Sequence, residues 1–115
     1  MKVLLVCDHT YFRISLKDGL EKVGFDVRSA YDGVEGVQLL LENPHYSAVI
    51  SDFEFGPMDG VSFLSAATIL SPKIVTILVE DTETSSLEST DKINLVLKKP
   101  FQRTLWVQAI DHSLH

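Results

Sequence analysis

Two uninterrupted apolar runs stand out along the chain, and each ends on a carboxylate. Val3-Leu4-Leu5-Val6-Cys7 leads into Asp8, and Ala48-Val49-Ile50-Ser51 leads into Asp52-Phe53. Runs of this length without polar alternation suit strands covered by helices on both faces, as in a parallel sheet. Between them, Tyr11–Val23 carries Phe12, Leu16, Leu20 and Val23 at helical spacing and leaves Arg13, Lys17 and Glu21 outside. Asp8 or Thr10 is placed to cap that helix, and Gly24 suits the left-handed position after its end. Phe25–Ala30 alternates as a second strand, and Asp32-Gly33 is a turn. Val34–Asn43 is a second helix, with Val37, Leu40 and Leu41 inward, stopped by Pro44.

Beyond Asp52 the loop Glu54–Gly60 is rich in turn formers. Asp59 can cap a helix running to about Leu70 that buries Phe63, Leu64 and Ala67. Ile74–Val79 is the most β-branched stretch in the chain. Glu80–Asp91 is acidic and rich in Ser and Thr, with one strong apolar residue, Leu87, so it supports only a short, poorly anchored helix. Ile93–Leu97 is a fifth strand, ending at Lys98-Lys99-Pro100. Phe101–Leu114 closes the chain as an amphipathic helix with Leu105, Ala109, Ile110 and Leu114 apolar. Strands alternating with helices over such short connections pair in parallel through right-handed crossovers. An α/β doubly wound sheet follows, with Asp8, Asp52 and a lysine converging at one edge, where such folds place their chemistry.

Composition narrows the reading. At 115 residues with 45% hydrophobic and 23% charged positions, the chain is expected to form one globular domain over residues 1–115. A net charge of −6 argues against direct nucleic-acid binding. No run approaches the roughly 20 apolar residues of a membrane span. Cys7 is the only cysteine, which excludes an internal disulfide and suits a reducing cytoplasm.

The chain resembles a bacterial response-regulator receiver domain over nearly its whole length. The resemblance is carried by Val3-Leu4-Leu5-Val6-Cys7-Asp8 and by Arg13, Leu16, Leu20, Gly24, Val27 and Ala30. It continues through Asp32-Gly33-Val34-Glu35-Gly36, the Asp52 strand, Pro57-Met58-Asp59-Gly60 and Lys99-Pro100-Phe101. It implies a five-stranded flavodoxin-like sheet of order 2-1-3-4-5. It also implies a signalling module rather than an enzyme, with Asp52 accepting a phosphoryl group from a sensor histidine kinase or phosphotransfer protein. Lys99 would hold the phosphoryl oxygens. Asp8, Asp52 and the backbone carbonyl of Glu54 would hold Mg²⁺. Contacts to an output protein or domain, or a homodimer through the fourth and fifth helices, would carry the signal onward, in a standalone regulator or as part of a longer chain.

Three departures qualify these implications. Cys7 replaces the first of the two acids usual after strand one, which weakens metal affinity. The hydroxyl residue expected at the end of strand four falls at Leu78, with Val79 or Glu80 as neighbouring alternatives. The aromatic residue expected three positions before Lys99 is Val96. A receiver whose partner binding depends weakly on phosphate follows, and a phosphorylation-independent adaptor is the alternative. A small-molecule phosphohydrolase lacks its second acid in Asp8-His9-Thr10, and an FMN carrier lacks a glycine-rich phosphate loop at Cys7–Tyr11.

Overall fold

The structure, a computed structural model, describes residues 1–52, 58–80 and 93–115. Its strands are β1 (Lys2–Cys7), β2 (Asp26–Ala30), β3 (Ala48–Asp52), β4 (Val75–Glu80) and β5 (Leu95–Lys98). The described helices are α1 (Thr10–Lys22), α2 (Gly33–Glu42), α3 (Gly60–Leu70) and α4 (Arg103–Leu114). The strands form one parallel sheet of order β2-β1-β3-β4-β5, as the apolar runs and the resemblance led us to expect. The expected segment between β4 and β5 lies almost wholly outside the described residues.

Period-two alternation splits the strands between two cores. Val3, Leu5, Cys7, Ala48, Ile50, Val79 and Leu97 pack with Phe12, Leu16, Leu20, Val107 and Ile110 of α1 and α4. Leu4, Val6, Val49 and Leu78 pack on the other face with Leu40 of α2 and with Phe63, Leu64 and Ala67 of α3. Both faces of β1 and β3 are therefore apolar, which is why those runs show no alternation. Burying each such side chain stabilises the fold by about 1.5–3 kcal/mol.

Some local expectations are corrected. Neither Asp8 nor Thr10 caps α1: His9 is the N-cap, and its Nδ1 accepts the amide of Phe12 at 3.3 Å. Gly24 does take the left-handed conformation after α1, at φ 101°. Leu41 points to solvent with 64% of its surface exposed, because α2 meets the sheet through Gly33, Gly36 and Leu40. Leu105 is likewise exposed at 58%, and α4 buries Trp106, Val107 and Ile110 instead. The rest of each expected face does pack inward: Leu40 and Ile110 are buried, and Val37, Ala109 and Leu114 lie against the two cores. Strand β5 begins at Leu95 rather than Ile93: the Asn94 amide donates to the Thr76 carbonyl at 2.9 Å, but the return acceptor is the Asn94 side chain. Its Oδ1 accepts the Thr76 amide at 2.9 Å and the Thr76 hydroxyl at 3.1 Å.

A ring cluster ties α1 to α4 and to the chain leaving β5. Phe12 and Phe101 lie 4.4 Å apart between centroids, and Trp106 stands 5.3 Å from each. Such contacts contribute about 0.5–1.5 kcal/mol apiece beyond burial.

Gly36 sits where α2 approaches the sheet most closely: a Cβ there would fall 2.7 Å from Phe63 Cε1 and 3.0 Å from Val6 Cγ2. Gly→Ala inside a helix ordinarily stabilises by about 1 kcal/mol. Gly36→Ala is expected to reverse that sign, costing about 1–3 kcal/mol from overpacking, as read by urea denaturation.

Candidate functional site

Parallel pairing of β1 with β3 sets Cys7 directly opposite Asp52, both at strand ends. Asp52 is only 4% exposed, an environment that penalises a carboxylate unless it is paired. Two partners supply this. Lys99, just past the end of β5, brings its Nζ to 3.2 Å from Oδ1. The Cys7 thiol donates to Oδ2 across 3.8 Å. Asp8 is exposed at the mouth of the cleft, near enough that its charge acts on Asp52. The three residues expected to converge do so. Glu54, expected to offer its carbonyl, lies outside the described residues.

Burial raises the proton affinity of Asp52 above its ordinary value, and the charge of Asp8 adds to this, while Lys99 and the Cys7 hydrogen bond oppose it. Burial likewise pushes the Cys7 thiol up to about 12, with the carboxylates of Asp52 and Asp8 adding to the rise. The thiol is therefore neutral at physiological pH and acts as a hydrogen-bond donor. The thiol has a single proton, which the Asp52 carboxylate shares with the His9 carbonyl 3.5 Å from the sulfur.

Two elements shape this edge of the sheet in ways the sequence did not indicate. Arg13, which helical spacing left outside, turns back and donates Nη1 to the Cys7 carbonyl at 2.6 Å. Helix periodicity assigns a residue to a face but does not show a long side chain folding back over the helix start. At the other side, Glu80 forms an ion pair with Lys98, and its carbonyl accepts the Lys99 amide at 3.0 Å. Lys98 and Lys99 thus divide their roles: one neutralises a carboxylate of β4, the other faces Asp52.

The expected switch positions are now placed. Leu78 is 6% exposed and lies in the core with Val6 and Phe63, so it belongs to the packing. Glu80 occupies the strand tip, opposite Lys98. Val96 is half-buried in β5.

A divalent cation fits the donor set in chemistry, though sparsely. Two carboxylates that repel each other across one cleft form a hard oxygen site of the kind Mg²⁺ occupies while keeping several waters. Among the described residues no third His, Cys, Asp or Glu completes a cluster able to hold a metal unaided.

The sequence profile of the response regulator receiver domain family matches residues 3–111. The chain is 45% identical over 67 residues to a probable chemotaxis protein CheY of Rhizobium etli, covering 57% of this chain and 51% of that protein. The alignment thus spans about half of that relative. Among solved structures, a receiver domain protein of Clostridium thermocellum superposes with a TM-score of 0.86 at 22% identity, covering 98% of this chain and 93% of that one. A CheY-like receiver domain protein of Methanospirillum hungatei gives 0.84 at 27% identity, covering 98% and 92%.

Two outcomes are expected from the site's electrostatics. The Cys7 thiol, buried and neutral, should resist alkylation at pH 8 in the native protein and react rapidly once urea unfolds it. Because Asp52 holds its proton more tightly folded than unfolded, the stability it contributes is full below the ordinary value of 3.8 and lost as pH rises through the folded value. Asp52→Asn should therefore be more resistant to urea than the natural protein at pH 7, with the difference closing as pH falls toward 3.

Proposed function

Because the chain belongs to the response regulator receiver domain family, we propose that it is the phosphoryl-accepting module of a two-component relay, with Asp52 as the acceptor. The observation that carries this reading is a nearly buried carboxylate held by Lys99 at 3.2 Å and electrostatically coupled to Asp8. Phosphoryl transfer asks a protein mainly for positioning and charge neutralisation. Here an oxygen of Asp52 attacks phosphorus, the bond to the donor's nitrogen breaks, and the leaving group departs with its electron pair. Lys99 stays beside the acyl phosphate and offsets charge on its oxygens. Asp8 and Asp52, with a carbonyl from the loop after β3, are the groups that would hold Mg²⁺. When bound, that ion supplies charge neutralisation between carboxylate and phosphoryl group. The donor would be a sensor histidine kinase or phosphotransfer protein, and the module would signal through protein contacts rather than catalyse turnover of a metabolite.

The readout is proposed to be atypical. A switch requires contacts that differ between its two states. Beyond Thr76, β4 offers Ile77, Leu78, Val79 and Glu80, none with a hydroxyl, and Val96 has no ring to reorient. This favours a second reading in which partner binding persists without phosphate, the domain acting as an adaptor.

Incubation with phosphoramidate and Mg²⁺, followed by intact mass measurement, tests the acceptor: one phosphoryl group should be gained, and Asp52→Asn should gain none. Lys99→Ala is expected to slow acceptance by a factor on the order of 10². Cys7→Asp, which restores a second acid to the cleft, should tighten Mg²⁺ binding as read by calorimetry. An unmodified natural protein under these conditions would leave only the adaptor reading.

A further inference from the structure

The turn from β1 into α1 is closed by four hydrogen bonds, two of which come from one residue. The Arg13 amide donates to the His9 carbonyl at 2.9 Å, and its guanidinium donates to the Cys7 carbonyl at 2.6 Å. The same His9 carbonyl accepts the Cys7 thiol at 3.5 Å, and His9 Nδ1 accepts the Phe12 amide at 3.3 Å. Arg13 thus spans the turn and gathers the end of the strand and the start of the helix. Asp8 is the residue enclosed between these ties, and Cys7 is the residue whose thiol reaches Asp52.

We propose that Arg13 is a positioning residue for phosphoryl acceptance: its guanidinium clamps the β1 tip so that Cys7 and Asp8 keep their places against Asp52. Three observations support it. The bond is short and charge-assisted, and its acceptor is the carbonyl of the last residue of β1. The clamped residue is in direct register with the acceptor carboxylate. The Cys7 thiol lies 3.8 Å from Asp52 Oδ2 while Lys99 Nζ lies 3.2 Å from Oδ1, so a displaced Cys7 takes a contact away from the carboxylate. A donor fork suits this task better than a flexible ammonium, because less freedom is lost per bond formed.

The inference rests on the proposed acceptor role of Asp52, and its test separates the two. Arg13→Met keeps an apolar stem and removes the donors, while Arg13→Lys retains one donor and the charge. Both are compared with the natural protein in phosphorylation by phosphoramidate, in Mg²⁺ titration followed by amide NMR shifts, and in the carboxyl ¹³C shift of Asp52. Urea denaturation reports folding separately. The expected result for Arg13→Met is a maximal rate lowered about tenfold or more with the phosphoramidate KM unchanged, since small misplacements of reacting groups cost up to roughly 10². Mg²⁺ affinity should fall in parallel, the Asp52 carboxyl signal should shift, and Arg13→Lys should recover part of each.

Natural rate, Mg²⁺ affinity and Asp52 shift in a folded Arg13→Met would overturn the proposal. So would an effect confined to KM, which would mean that the charge attracts the donor rather than positions the acceptor. Should Arg13→Met not fold, Arg13→Lys decides alone: a displaced Asp52 signal with a lowered maximal rate supports the clamp, and natural values of both refute it. If the natural protein neither gains a phosphoryl group nor responds to Mg²⁺, the acceptor reading fails. The Asp52 carboxyl shift in the variants then still decides whether Arg13 holds the cleft.

Discussion

A carboxylate with almost no access to water must be held by something, and Asp52 is held from both sides. Its position follows from the sheet: β3 lies between β1 and β4, and its last residue reaches the edge with Cys7 alongside. Lys99 arrives from β5, two strands away, because β4 stands between them. Strand order is therefore the condition for the cleft. Were β1 and β3 not neighbours, or were the strands not parallel, the tips of β1, β3 and β5 would not share an edge. Asp52 would then be a buried charge without compensation, a burden of several kcal/mol.

The replacement of an acid by Cys7 alters the character of this cleft more than its shape. A thiol is comparable in size to a short polar side chain, but here it is neutral and donates a hydrogen bond where a carboxylate would repel. The cleft has one negative charge fewer to set against a cation, and Asp52 gains a weak donor in compensation. Glu80 and Lys98 add a neutralised pair on the opposite flank. The resulting balance is less acidic than two strand-end acids plus an acceptor would produce. On the proposed function, this would bear on how Asp52 takes up a phosphoryl group, whereas Leu78 and Val96 would bear on how that state is passed on.

Much of this was legible in the sequence because buried parallel strands leave continuous apolar runs, and because Asp8, Asp52 and Lys99 lie at the ends of such runs. What escaped reading depended on side chains that act across the chain rather than along it. The helical phase of Arg13 points it to solvent, yet its length lets it reach back to Cys7. His9 caps α1 against residue preference, because a ring nitrogen is a less usual acceptor there than the oxygens of Asp8 and Thr10. Leu41 and Leu105 satisfy the periodicity but lie at the margin of their stripes, because α2 packs through Gly33, Gly36 and Leu40 and α4 through Trp106, Val107 and Ile110. The placement of β5 turned on one amide side chain, Asn94, imitating backbone pairing.

The ring cluster gives this architecture an optical consequence. Trp106 is the chain's single indole, it is 5% exposed, and it abuts Phe101, which follows the Lys99-Pro100 pair. Phe12, on its other side, belongs to the same helical turn as Arg13. The indole emission therefore arises beside two arms at this edge of the sheet, one leading from Lys99, which pairs with Asp52, and one carrying Arg13, which holds the Cys7 carbonyl. The natural protein carries its own spectroscopic label at the junction where those arms meet.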